Sequence, residues 1–267
     1  MKRGIMKGIK KHSHADREQI IEKMAPMIKK KFGDNFVALA VCCSFARNED
    51  VDYSDLELVA FVKSMPAGKS QGGMAKMYDG MLIELMWMTR ETYLKTTLDV
   101  NENWHYSGSD RLIPIINEEF IAEISAYHPP DIKQQCLDRA VGCFSEVQEA
   151  VTKVLNAISQ KNHEGMPILF FYMILEMLKV LSFLNQGPYV TASRMFSQAR
   201  KFETKPESFN RLLNMARAGG YNDLTSLCRI TVAVFEEFEA IFENLGLELY
   251  DDNFDPNEPV HKMRQME

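Results

Sequence analysis

Apolar residues recur at helical spacing between residues 14 and 31, where Ile20, Ile21, Met24, Met27 and Ile28 share one side, which predicts an amphipathic helix. The glycine of "FGDN" (32–35) ends it. "FVALAVCC" (36–43) then reads as a buried strand and "SFARNEDVDY" as a polar, turn-rich connection. "DLELVAFV" (55–62) alternates at first and is then continuously apolar, the pattern of a second strand. "SMPAGKSQGG" (64–73) reads as a loop, "GMLIELMWMT" (80–89) as a third strand and "RLIPII" (111–116) as a short fourth element. At "YHPPD" (127–131) the texture changes: two prolines stop what precedes them, and Asp131 is placed to cap a helix. From there the pattern is helical over 131–160, 167–185, 190–202, 206–217 and 221–245, punctuated by "NQGP" and "AGGYND", with no internal repeat. A polar tail, "YDDNFDPNEPVHKMRQME", is expected to be poorly ordered. The plan is a strand-and-helix N-terminal half, 1–128, followed by an all-helical C-terminal half, 129–267.

Composition narrows the function classes. With 267 residues, 46% of them hydrophobic, the chain can bury a sizeable core. A formal net charge of −6 is a poor match to a nucleic-acid backbone and suits a small or cationic ligand better. Cys42, Cys43, Cys136, Cys143 and Cys228 are odd in number and lack a C-x-x-C pattern, so free thiols in a reducing cytoplasm are expected, neither a disulfide framework nor a zinc site. The basic start lacks the apolar run of a signal peptide. "PILFFYMILEMLKVLSFL" (167–184) holds Glu176 and Lys179, so a buried helix is expected there and no membrane span.

The chemistry concentrates in the second strand. Side chains two apart on a strand share a face, so Asp55 and Glu57 project side by side while Leu56 and Leu58 turn away. Two carboxylates this close repel unless a cation sits between them, and oxygen ligands with room for water suit Mg²⁺. Asp-x-Glu is also a common pattern on a solvated sheet face, and both readings stand at this point. Glu84, inside "LIELM", is harder to place without a partner, and it joins the pair if its strand runs alongside. Upstream, Ser44 offers a hydroxyl at the start of a helical turn and Arg47 adds a positive charge. An ordinary cap and a surface arginine are the alternatives.

A strand, then G-S-x-x-R, a turn, and Y-S-D-x-E/D opening the next strand is the signature of the DNA-polymerase-β-like nucleotidyltransferases. Within that superfamily the chain resembles the kanamycin (aminoglycoside 4'-O-) nucleotidyltransferase family. "FGDNFVALAVCCSFARNEDVDYSDLELVAFV" resembles that family's phosphate-turn and carboxylate stretch. "LIELMWMTRETY" resembles its acidic strand, "NENWHYSGSDRLIPIIN" its Trp-containing loop and "FSEVQEAVTKVLNAI" its catalytic helix. The resemblance spans residues 14 to about 250. It departs at the turn itself, where Cys43 and Ala46 stand in place of the family's glycines.

The resemblance implies an α+β fold: a polymerase-β-like nucleotidyltransferase domain with a mixed sheet, followed by an all-α helical-bundle domain. It implies Asp55, Glu57 and Glu84 as metal ligands for Mg²⁺, with Ser44, Arg47 and Lys153 binding ATP or another nucleoside triphosphate. Glu149 matches the general base, and Glu84, Glu146 and Trp104 fall where the acceptor binds. It further implies a homodimer, in which the base comes from the second copy. Spacing alone makes Glu149 and Lys153 an ordinary i, i+4 ion pair, and Glu146 competes with Glu149 by one helical turn. An aminoglycoside is the first acceptor expected; a lincosamide, an unknown metabolite, or a non-catalytic relative that binds nucleotide or a partner protein are the alternatives. His12 and His14 have metal-like spacing but sit in a basic N-terminal stretch, Trp104 also suits a packing role, and no G-x-S-x-G elbow occurs.

Overall fold

The computed structural model describes residues 8–250. It divides into two compact units, one of residues 8–104 and 110–129 and the other of residues 105–109 and 130–250. The expected polar tail lies, from residue 251, outside the described residues.

The first unit begins with α1 (His14–Phe32), closed at its start by a reciprocal cap in which Ser13 and Asp16 each accept from the other's backbone N–H. Its strands are β1 (Phe36–Val41), β2 (Leu56–Val62), β3 (Gln71–Tyr78), β4 (Met81–Met88) and β5 (Ile113–Ile116), ordered β3-β4-β2-β1-β5. Only the β2–β4 pairing is parallel. Two apolar clusters cover the two faces. Ile20, Ile21, Ala25 and Ile28 of α1 pack on Leu39, Val41, Leu56, Leu58, Ile83 and Leu85. Ala38, Ala40, Val59, Phe61 and Met88 face the other way, with Ile121 and Ile124. The period of two in the sequence is thus real, but both faces are covered, so β1 and β2 read as nearly continuous apolar runs.

The short helices α2 (Cys43–Ala46), α3 (Arg90–Tyr93) and α5 (Glu118–Ser125) belong to the first unit, whereas α4 (Trp104–Ser107) starts at its boundary and continues into residues 105–109 of the second. Three details depart from expectation. The loop read over 64–73 gives way at Gln71 to β3, an edge strand whose exposed, Gly-rich face carries little apolar signal. The first strand stops at Val41, because Cys43 takes a left-handed backbone, φ 59°. Glu118–Ser125, given no element by the pattern, is α5, capped by Asn117.

The second unit holds α6 (Ile132–Ser159), α7 (Met166–Leu184), α8 (Met195–Ala199), α9 (Phe209–Ala218) and α10 (Leu224–Asn244). Asp131 precedes α6 but makes no capping bond; its own backbone is left-handed, φ 46°. The single helix expected over 190–202 is a 3₁₀ turn followed by the five-residue α8. Phe144 of α6 stacks on Phe235 and packs against Phe238 and Phe242 of α10. Among the described residues α7 alone is long and apolar enough to cross a membrane. Phe170, Met173, Ile174, Met177, Leu178 and Leu181 on it are buried in the helical core. Tyr189, fully buried, donates its hydroxyl to the Leu178 carbonyl at 2.9 Å.

Candidate nucleotide and metal site

The parallel register of β2 and β4 sets Glu57 beside Glu84. Asp55 directly precedes β2, and carboxylate oxygens of Asp55, Glu57 and Glu84 all lie within 4.8 Å of one another. Leu56 and Leu58 turn into the α1 face, which leaves the carboxylates together on the opposite face. The cluster is therefore a product of one parallel pairing between strands separated in sequence by β3.

Its electrostatics are unfavourable without a cation. Burial pushes the Glu57 carboxyl up to about 7, and the charge of Asp55, with smaller contributions from Asp110 and Glu84, adds to this; a hydrogen bond with the Cys43 side chain opposes it. Glu57 Oε2 is buried with no hydrogen-bond partner, and so is Ser44 Oγ. Buried polar atoms are nearly always satisfied, so two orphans here, an anionic acceptor and a hydroxyl, suit a cation at the first and an anion at the second. The all-oxygen donor set is that of Mg²⁺ or Mn²⁺.

The turn between β1 and β2 is held from behind. Arg17 of α1 is fully buried; it pairs with Asp50 at 3.0 Å and donates to the carbonyls of His12, Val51 and Ser54 at 2.9, 2.8 and 2.6 Å. His14 Nδ1 lies 2.7 Å from the other oxygen of Asp50, and its ring stacks on Phe45 at 4.2 Å. One arginine thus fixes the backbone up to the residue before Asp55. Arg47 is partly buried, with Nε donating to Glu49 at 3.1 Å.

Cys43 answers the glycine question. It adopts the left-handed conformation a glycine would take, so the turn keeps a glycine-type backbone at a cost of about 1–2 kcal/mol for its Cβ. Ala46 is helical and buried, where a methyl group fits. Asp110, which sequence reasoning missed, stands against this turn: its Oδ1 lies 3.7 Å from Cys43 Sγ, and Tyr93 donates its hydroxyl to Oδ2 at 3.4 Å. An acidic residue just before a short apolar strand was the available signal, because β5 runs antiparallel to the end of β1.

Glu146, Glu149 and Lys153 belong to the second unit, on α6. Lys153 Nζ sits 2.9 Å from Glu149 Oε1 and 5.4 Å from the centre of the Tyr172 ring. Glu176 of α7 joins them: burial pushes its carboxyl up, Lys179 opposes this, and the charges of Glu146 and Glu149 add to the rise. The sequence pattern of 167–184 marks Tyr172 and Glu176 only as parts of an apolar helix. Trp104 is 3% exposed, the burial of a packing residue and not of a ring offered to a ligand.

Residues 127–248 match the family model of the KNTase C-terminal domain. The match covers the helical half and supports a nucleotidyltransferase-like protein. A nucleotidyltransferase-like protein from Exiguobacterium sibiricum superposes with a TM-score of 0.45 and 8% identity, over 84% of this chain and 75% of that one, too loosely to carry an argument. No curated protein matches the chain.

Proposed function

We propose that this chain is a Mg²⁺-dependent nucleotidyltransferase that moves a nucleoside monophosphate, AMP from ATP as first choice, to a hydroxyl of a small cationic acceptor. The observation that carries this reading is the Asp55–Glu57–Glu84 cluster with its orphaned Glu57 oxygen, beside a turn whose Ser44 hydroxyl is likewise unpartnered. Asp55, Glu57 and Glu84 would hold the metal, which when bound supplies positive charge against the phosphate oxygens. Ser44 and Arg47 take the triphosphate tail, Arg47 exchanging its contact with Glu49 for phosphate.

Glu149 is assigned the base. The acceptor oxygen attacks the α-phosphorus in line, its proton passes to the Glu149 carboxylate, and the bond to pyrophosphate breaks. In a homodimer Glu149 comes from the second copy. Glu146 and Glu176 add negative charge near Glu149, which with a net charge of −6 favours a polyamine sugar such as an aminoglycoside as acceptor. A cytoplasmic setting suits five free thiols.

A second reading, nucleotide binding without transfer, is favoured by one observation: Arg47 is engaged by Glu49. The test is an acceptor screen with α-labelled ATP or GTP, Mg²⁺, aminoglycosides and lincosamides, with Asp55→Asn as control. Labelled acceptor from the wild type alone supports transfer and names the acceptor. Nucleotide binding with no labelled product from either drug class leaves an unknown-metabolite acceptor or the second reading, and neither binding nor product overturns both.

A further inference from the structure

Adjacent residues of an extended strand point to opposite sides, which ordinarily keeps neighbouring cysteine sulfurs well apart. Cys42 and Cys43 lie past the end of β1, where that alternation no longer holds. The left-handed backbone at Cys43 swings its side chain round, and the two sulfurs lie 3.5 Å apart. Asp110 Oδ1 is 3.7 Å from Cys43 Sγ, and the three ligand atoms all lie within 4.8 Å of one another. A tetrahedral zinc, with Zn–S of about 2.3 Å and Zn–O of about 2.1 Å, has ligand–ligand edges of roughly 3.6–3.8 Å. The Cys42–Cys43 and Cys43–Asp110 edges, 3.5 and 3.7 Å, are close to that size without a metal.

We propose that Cys42, Cys43 and Asp110 form a binding site for a thiophilic divalent cation of the zinc class, separate in chemistry from the all-oxygen cluster of Asp55, Glu57 and Glu84. The donors sort the cations: thiolates select zinc or cadmium, whereas carboxylates alone select magnesium or manganese. Second contacts orient the ligands. Tyr93 donates to Asp110 Oδ2, the Arg111 N–H donates to Asp110 Oδ1 at 3.1 Å, and Cys42 Sγ rests 3.7 Å from the Glu57 carbonyl. Cys42 is buried, while Cys43 and Asp110 are partly exposed and form the entry side. The inference does not rest on the transferase reading.

The test is titration of the full reduced chain with Cd²⁺, followed by ultraviolet thiolate-to-metal absorption and by calorimetry. One equivalent should saturate the band. Cys43→Ser should lower affinity by more than about a hundredfold and Asp110→Asn, which keeps both thiols, by about tenfold or more. Cys228→Ser, which removes another partly exposed thiol, should change nothing. Thermal unfolding of each variant without metal checks that it folds. A chain that gives no stoichiometric band holds only hydrogen-bonded thiols, and the proposal fails. It also fails if the band survives Cys43→Ser, or if Asp110→Asn binds as tightly as wild type.

Discussion

Arg17 and Asp50 form a fully buried ion pair, 3.0 Å between Nη1 and Oδ2, that joins α1 to the turn leading into the carboxylate cluster. Breaking such a pair by removing one partner leaves an uncompensated buried charge, whereas removing both spares most of the cost. Arg17→Met should therefore lower stability by about 3–5 kcal/mol, and Arg17→Met with Asp50→Leu by less, the remainder coming from the carbonyls of His12, Val51 and Ser54 that lose their donor. Urea unfolding of the single and double variants measures the difference.

Glu57 makes stability fall with pH. Its carboxyl is raised from 4.5 to about 7, so the folded protein binds a proton that the unfolded chain has released. Without divalent cation, stability should be greatest below about pH 4.5 from this group and decline as pH rises through about 7. Glu57→Gln should flatten that slope. Added Mg²⁺ should raise the melting temperature of wild type at pH 8 and leave Glu57→Gln unmoved; a Mg²⁺ shift in the variant would remove Glu57 from the metal site.

Cys43 tests the turn. Cys43→Gly relieves a left-handed Cβ worth about 1–2 kcal/mol but adds freedom to the unfolded chain worth about 0.5–1 kcal/mol. Stability should rise by no more than about 1.5 kcal/mol. Cys43→Val places a β-branched side chain at φ 59° and should lower the melting temperature clearly. Equal melting temperatures for the two variants would mean that the left-handed turn is not kept in solution.

Glu149 separates structure from chemistry. Its pair with Lys153 is about half exposed on both sides, so Glu149→Gln should leave the melting temperature unchanged. If Glu149 takes the acceptor proton, the same variant loses about 10²–10⁴-fold in transfer rate with nucleotide binding retained. Glu146→Gln should not share that loss; if it alone does, the base lies one helical turn earlier.

Gly72 and Trp87 face each other across β3 and β4, and a Cβ on Gly72 would come within 2.2 Å of the Trp87 ring. Gly72→Ala should cost about 1–3 kcal/mol, read by thermal unfolding, even though the strand is at the sheet edge.

The helices α1, α6, α7 and α10 were legible because apolar spacing at 3.6 residues is a local signal written along each segment, as is the period of two in β1 and β2. The pairing of Asp55 with Glu57 was legible for the same reason. β3 was not: its face is exposed and rich in glycine, and it is a strand because β4 offers it backbone partners. The 190–202 segment was overread, since its helical propensity yields to a turn at Ala192–Arg194.

The sequence by itself determined which residues are chemically capable, because side-chain type and local period are properties of the chain. Only the tertiary structure decided which of them meet. Glu84 reaches Glu57 because β4 lies parallel to β2, a choice made across β3. Asp110 reaches Cys43, and Arg17 reaches Asp50, through contacts made 67 and 33 residues apart. Such meetings depend on strand order and helix docking, where the burial of whole faces outweighs any local preference.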